Sequence, residues 1–489
     1  MADLTETARR ALIERGFLPD FPAKVREEVQ RITHNFSQNG PPKPEDGSQV
    51  RDLRNLPWFS VDNPDTRDLD QLSTAEEGDG RGETRLRVAI ADVAELVPPG
   101  SAIDLHARHN TTSIYTAAGT YPMLPRELSE GLTSLHEGED RLAVVVDMIV
   151  AEDGTVRESD LYRAWVHNHL RLTYGGVGAW LDGSAPLPGR SRELLRGIED
   201  QLRLHDEVAQ RLRGHRHERG ALELDTVESR PVFEGGRLTD LTEERKNRAK
   251  DLIEDLMVTA NSLTAGFLEA RGLPSLRRMV RSPYRWPRIV DLAKEHGARL
   301  PPEPDPAALN QFLETRRTAD PERFPELSLA VVKLLGSGEY TVDLPGQPSP
   351  GHFGLAAEDY THATAPNRRY PDLVMQRLVK ATLAGQPAPY DGAELEEIAR
   401  HCTEREDEAN KVERMVRKSG AAEILRSRIG ESFNGVVTGA SEKGTWVRIY
   451  HPSVEGRLER GSEGLDVGDR VRVRLDSVNV ERGFIDFVR

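Results

Sequence analysis

The sequence predicts an α+β protein: a large mixed domain with a central sheet and surrounding helices, a small helical unit before it and a small barrel after it. Three observations predict this. Apolar spacing is helical over the first residues, turns to strand-like alternation from about residue 85, and returns to helical spacing in the middle of the chain. A long apolar run at 142–150 reads as a central strand buried on both faces. The last stretch, 431–489, carries five short strand patterns and no helical one.

Taken in order, 1–50 is a helical unit. Ala8, Leu12 and Ile13 keep helical spacing before Gly16, and a second helix runs from Pro22 with Val25, Val29 and Ile32 on one face. This suits a helix-turn-helix-like module or a plain helical cap, followed by a linker at 39–44. The main domain, 51–430, opens with strands at 85–93, 112–116, 142–150, 156–165 and 170–174 around a short helix at 104–108. Helices follow at 192–214, 245–269, 327–335, 371–383 and 393–426, with proline-rich loops at 301–306 and 347–351. Glu254 and Asn261, seven residues apart, project from nearly the same side of their helix. The five strands of 431–489 predict a small closed barrel of the OB type. Phe433, Trp446 and Tyr450 are its candidates for stacking on bases, with Arg448, Arg457, Arg472 and Arg474 facing phosphates.

Composition bounds the function. With 489 residues, 37% hydrophobic and 30% charged, the chain is long enough for several domains and a large core. No apolar run approaches the roughly 20 residues that span a bilayer. The N-terminus has neither a basic region nor an apolar one, so a cytoplasmic location is expected. The single cysteine, Cys402, excludes an intramolecular disulfide and a cysteine-based zinc site. A net charge of −15 argues against a protein that coats duplexes non-specifically, though not against a local basic channel.

Two stretches carry chemistry. Ser60-Val61-Asp62-Asn63-Pro64-Asp65-Thr66-Arg67-Asp68-Leu69-Asp70-Gln71 places four carboxylates within nine residues, in a segment that Asn63 and Pro64 bend out of any helix. Such crowding is tolerated mainly around a cation, and oxygen ligands suit Mg²⁺ or Mn²⁺. The spacing does not fit an EF-hand, since Pro64 and Thr66 fall on ligand positions and Ser73 stands where a glutamate is required. The bland reading is a solvated acidic turn. The second stretch ends in Arg368-Arg369-Tyr370-Pro371-Asp372, just before a helix whose first turn favours anions. Arg368 is the phosphate candidate. Arg369 divides evenly between a phosphate and an acidic neighbour. Most charges of the last long helix, Glu404 to Arg414, read as a solvated face.

The acidic stretch resembles the signature of the RNase II/RNase R (RNB) family of exoribonucleases, in residue type and in the spacing of Asp62, Asp68 and Asp70. Ile90-Ala91-Asp92-Val93, Thr112-Ser113-Ile114-Tyr115, Pro122-Met123-Leu124-Pro125-Arg126-Glu127-Leu128-Ser129, His352-Phe353-Gly354-Leu355 and Tyr360 to Asp372 are similar to further family blocks in the same order. The resemblance covers roughly 51–430, and 431–489 looks like an S1-type RNA-binding domain. It implies hydrolysis of single-stranded RNA from a free 3′ end, one nucleotide at a time, to 5′-monophosphates with Mg²⁺. By that resemblance Asp62, Asp68 and Asp70 hold the metal and Asp70 matters most for turnover. Tyr115 stacks on the terminal base, Arg368 binds the scissile phosphate, Glu413 fixes the terminal nucleotide, and Tyr284 stands for a second clamping aromatic.

The chain departs from the family pattern in three respects. Gln71 follows Asp70 where two adjacent aspartates are usual, which puts a second metal in question, with Asp65 as a stand-in. Ala365 and Asn367 replace a serine and an isoleucine. The helical unit at 1–50 is expected to take the place of the family's N-terminal cold-shock barrels, and with it better tolerance of structured RNA is expected. No obligatory protein partner or membrane is expected. The competing readings are a catalytically weakened RNA-binding relative, a metal-dependent endoribonuclease, and an adaptor that uses only the barrel.

Overall fold

In the computed structural model, residues 4–489 are described except 43–46, 48, 189–191, 226–227, 235–236, 245, 322, 348–350 and 442–443. The expected helix start at Arg245, part of the linker at 39–44 and part of the loop at 347–351 therefore lie outside the described residues. Helices α1 (Leu4–Glu14) and α2 (Ala23–Asn39) lead into strands β1 (Val50–Asp52), β2 (Phe59–Asp62), β3 (Gln71–Glu77) and β4 (Thr84–Ala91). Helix α3 (Ala102–Asn110) precedes a small hairpin, β5 (Ile114–Thr116) and β6 (Gly119–Tyr121), and then β7 (Asp140–Val150), β8 (Val156–His167) and β9 (Leu170–Thr173).

These strands build a seven-stranded sheet in the order β1-β8-β7-β4-β3-β2-β9. Its inner pairs are antiparallel, while β1 on β8 and β2 on β9 are parallel. The apolar run at 142–150 is the buried β7, with Val145 and Ala143 fully enclosed. At the β7–β8 turn Gly154 has φ +81, and a Cβ there would collide with the Arg211 carbonyl. That turn thus needs glycine twice over.

A helical layer covers the sheet: α4 (Tyr174–Leu181), α5 (Arg192–Glu218) and α6 (Arg248–Glu269), with the hairpin β10 (Glu228–Glu234) and β11 (Arg237–Glu244) between the last two. Beyond it come β12 (Ser275–Met279), α7 (Trp286–Glu295), α8 (Pro306–Ala319), α9 (Phe324–Leu335) and β13 (Glu339–Asp343), which pairs with β12. Helices α10 (Tyr370–Leu383) and α11 (Gly392–Leu425) close the domain. Strands β14 (Ser432–Ser441), β15 (Gly444–Ile449), β16 (Val454–Arg460), β17 (Arg470–Asn479) and β18 (Phe484–Val488) form the closed barrel.

Helix α11 is the spine. Its Ala409, Val412 and Val416 form a core with Ala8, Ala11 and Leu12 of α1 and with Ile114 of β5. Its far end puts Ala421, Ala422 and Leu425 into the barrel's core together with Leu241 of β11. The two N-terminal helices are therefore not free-standing: α1 backs the β5–β6 hairpin, and Val25 and Val29 of α2 join the main core. Among the described residues no helix is long and apolar enough to cross a membrane.

Two anions and two cations meet between α10 and the sheet, all buried except the half-buried Glu95. Arg163 of β8 donates to Asp92 at 2.7 Å and to Glu95 at 2.7 Å, and Lys380 of α10 reaches the same two carboxylates at 2.7 Å each. The quartet is charge-neutral, which is what lets it leave water. The Asp92 block noted in the sequence thus braces α10 against the sheet.

Candidate active site

The acidic stretch is the loop from β2 to β3. Strand β2 pairs with β3 only at Phe59–Ser73, so the two diverge and the chain between them bulges away from the sheet. Three sets of bonds shape that bulge. Arg171 of β9 donates to the carbonyls of Asn63 at 3.3 Å, Pro64 at 3.0 Å and Thr66 at 2.5 Å. Leu69, buried, is pinned by its N–H to Ser134 Oγ at 3.0 Å and by its carbonyl to Leu135 N–H at 3.0 Å. Asp70 then enters β3 with its carbonyl accepting from Ala91 N–H at 2.9 Å.

The arginine stretch meets this loop from the other side. Asn367 N–H donates to Asp70 Oδ1 at 3.0 Å, and Arg368 Nε lies 3.9 Å from Asp70 Oδ2. Asp70 is only 6% exposed, whereas the Arg368 side chain is 44% exposed and faces the cavity. Arg369 settles on its acidic neighbour: it donates to the fully buried Asp372 at 2.7 Å, which also accepts from Ala365 N–H. The Arg368 carbonyl accepts from Ser113 N–H at 2.9 Å, so the arginine stretch is stitched to the strand that carries Tyr115.

Tyr115 stands between the two stretches. Its hydroxyl donates to Asp68 Oδ2 at 3.1 Å, and its backbone N–H donates to Glu413 Oε1 of α11 at 2.9 Å. Asp62, Asp68, Asp70, Tyr115 and Arg368 line one cavity of about 660 Å³. Burial pushes the Asp70 carboxyl up to about 8, opposed by the Arg368 charge and the Asn367 N–H and reinforced by Asp68. Burial also raises Asp62, with the Asp68 charge adding to it, and raises Glu413 against the pull of the Tyr115 N–H.

The cavity's opposite wall was not assigned from the sequence. It is made of Tyr174, which begins α4, and of Lys246, Lys250, Glu254 and Asn261 on or just before α6. Glu254 and Asn261 share a face as their spacing indicates, and Lys250, four residues before Glu254, was available by the same argument. Asn261 receives the Ala363 N–H at 2.8 Å and so ties α6 to the arginine stretch.

Four other candidates stand apart. Tyr284 does not line the cavity; it is 78% exposed and its hydroxyl accepts from Arg285. Trp446 is half-buried on β15, also away from the cavity. Phe433, expected to stack on bases, is instead inside the barrel against Phe487, because alternation along β14 turns it to the core. Arg448 is engaged with Glu326 of α9 rather than left for phosphate, since the barrel docks on that helix.

The donor chemistry fits a hard cation in one specific way. Among the described residues no three His, Cys, Asp or Glu side chains are gathered into a ready cage. Mg²⁺ rarely uses one; it keeps waters and takes one or two carboxylates together with substrate phosphate oxygens. The carboxylates of Asp62, Asp68 and Asp70 on one wall, with a guanidinium beside them for the phosphate, match that need.

Comparison with known proteins agrees with this architecture. Residues 50–385 match the RNB domain, and 431–489 match the RNase II-type exonuclease C-terminal S1 domain. Ribonuclease R of Escherichia coli is 31% identical over 505 aligned residues, 96% of this chain and 60% of that protein. The fold superposes on Mycoplasma genitalium RNase R in complex with ribose-methylated single-stranded RNA with a TM-score of 0.86 at 22% identity, covering 100% of this chain and 78% of that one. A yeast pseudonuclease shares the fold at a TM-score of 0.72 and 16% identity, over 97% of this chain and 57% of that one. A two-part molecule, with an acid-lined cleft in a mixed domain and an S1 barrel behind it, is the class that fold and cleft define. The chain belongs to the RNB family, and it spans about 60% of the length of the curated relative in Escherichia coli.

Proposed function

We propose that the chain is a 3′-to-5′ exoribonuclease that hydrolyses single-stranded RNA from a free 3′ end to nucleoside 5′-monophosphates. The observation that carries this reading is the buried Asp70 beside Arg368 in a cavity also lined by Asp62, Asp68 and Tyr115. Asp62, Asp68 and Asp70 would hold Mg²⁺, or Mn²⁺ in its place. Bound there, the ion would supply Lewis-acid polarisation of the phosphate and a more acidic water.

The chain's own groups do the rest. The Arg368 guanidinium faces the cavity and pairs with the scissile phosphate, taking up charge as it develops on the phosphoryl oxygens. The Tyr115 ring stacks on the terminal base, held at its backbone by Glu413. Lys246 and Lys250 on the opposite wall draw the upstream phosphates into the cavity, though Lys246 shares its charge with Glu254. Stitching of the arginine stretch to the strand that carries Tyr115 fixes the distance between phosphate and terminal base. A cytoplasmic setting and RNA as the sole required partner complete the reading.

The test is incubation with an oligoribonucleotide labelled at every phosphate and Mg²⁺, its deoxy counterpart as control. Mononucleotides released from RNA alone, and lost in Asp70→Asn while RNA still binds, are expected. An internal ladder of fragments points instead to an endonuclease. Gln71 and the shared pseudonuclease fold favour a second reading, an RNA-binding protein without turnover. Binding with no cleavage at any Mg²⁺ or Mn²⁺ concentration establishes that one.

A further inference from the structure

A second cavity, of about 250 Å³, lies on the far side of Tyr115. Asn63, Thr66, Asp68 and Tyr115 line both cavities, so the hydrogen bond from the Tyr115 hydroxyl to Asp68, at 3.1 Å, is part of the partition between them. The remaining wall includes Arg67, Arg126, Thr120 and Ser129, with Asp65 and Glu130. Its volume is below the roughly 300–1,000 Å³ usual for a small-ligand site, so it has room to pass one nucleotide and not a strand. Arg67 and Arg126 are 75% and 53% exposed and both lean on Glu130, so their charge is at the rim and shared.

We propose that this cavity is the exit for the released nucleoside 5′-monophosphate, which leaves past Tyr115 with Arg67 and Arg126 meeting its phosphate. The proposal rests on the exonuclease reading above. A terminal nucleotide stacked on Tyr115 lies next to the partition, whereas the strand still attached fills the larger cavity behind it. Departure through the second cavity lets the next nucleotide advance without the product having to pass the incoming strand. Two guanidinium groups against the carboxylates of Asp65, Asp68 and Glu130 leave the exit without an excess of positive charge, so a phosphate meets the arginines only briefly, which suits release rather than retention.

The variants Thr120→Trp, which fills the cavity, and Arg126→Ala, at an exposed position, test this, with AMP as the probe. With enzyme in excess, Thr120→Trp should remove the first nucleotide at the wild-type rate, while its steady-state rate falls about fivefold because product release has become slow. Arg126→Ala should weaken inhibition by AMP about threefold. Unchanged steady-state rates and unchanged AMP inhibition in both variants overturn the proposal. Calorimetric titration of AMP into the same proteins separates the two readings. If the wild type releases no mononucleotides, the exonuclease reading fails, yet AMP binding weakened by both variants still assigns the cavity, and equal binding in all three proteins rejects it.

Discussion

Asp70 has the most unusual surroundings of any carboxylate in the cleft. Burial pushes it up to about 8, so without a cation it keeps its proton across the neutral range. Between the ordinary carboxylate value of about 4 and that figure the native state holds a proton that the unfolded chain has lost. The metal-free protein should therefore lose stability as pH rises through this window, and Asp70 should cost nothing further above it. Asp70→Asn has no such proton to lose. In chelator, its melting temperature should pull ahead of the wild type's between pH 5 and pH 8, and a scanning fluorimetry series would show it; a constant difference contradicts the assignment. Addition of Mg²⁺ at pH 8 should then raise the wild type's Tm and leave the variant's unmoved. Gln71, the first residue of β3, faces the same cavity with a neutral oxygen. Gln71→Asp should lower the Mg²⁺ concentration that half-saturates cleavage, about threefold to tenfold, in a titration of rate against metal.

At the scale of elements, the cleft is assembled by supports that touch no substrate. Helix α1 packs Leu12, fully buried, behind the hairpin that presents Tyr115. Leu12→Ala should cost about 2–5 kcal/mol of stability by urea unfolding, and it should raise KM for RNA more than it lowers kcat, since the terminal-base clamp loosens. Arg171→Ala frees three carbonyls of the acidic loop and should lower kcat with RNA affinity nearly kept, the change in stability being about 1 kcal/mol. Such supports explain what was legible in advance. Asp62, Asp68 and Asp70 were readable because their spacing is local, and Arg368 because it precedes a helix start. Tyr174, Lys246 and Lys250 were not, because they come to the cleft only through the placing of α4 and α6 against the sheet. Tyr284 is an aromatic in a loop, with no periodicity to say where it points, and it faces solvent. The β10–β11 hairpin has a sequence signal that the helical spacing around it masks, Gly235-Gly236 between its two strands.

At the scale of the whole molecule, α11 joins the cleft to the barrel as one continuous rod, with Glu413 midway and Leu425 in the barrel core. The α+β class and the five-stranded barrel were legible from alternation alone; the barrel's docking was not, since Arg448 to Glu326 is a contact between distant segments. Arg472 and Arg474 remain on the barrel's exposed face. The double change Arg472→Ala, Arg474→Ala should weaken binding of long RNA and reduce its salt slope by about 1–2, with trimers cleaved at an unaltered rate; filter binding across a salt series measures it. The neutral quartet under α10 has a consequence of a different kind. Because Asp92, Glu95, Arg163 and Lys380 pair with one another in a largely buried cluster, loss of any one of them alone leaves a poorly paired ion under the helix that starts just after Arg368. The four positions are bound to change in concert or stay put, so a hardier variant is better sought by exchanging all four for oily side chains together than by improving any single member.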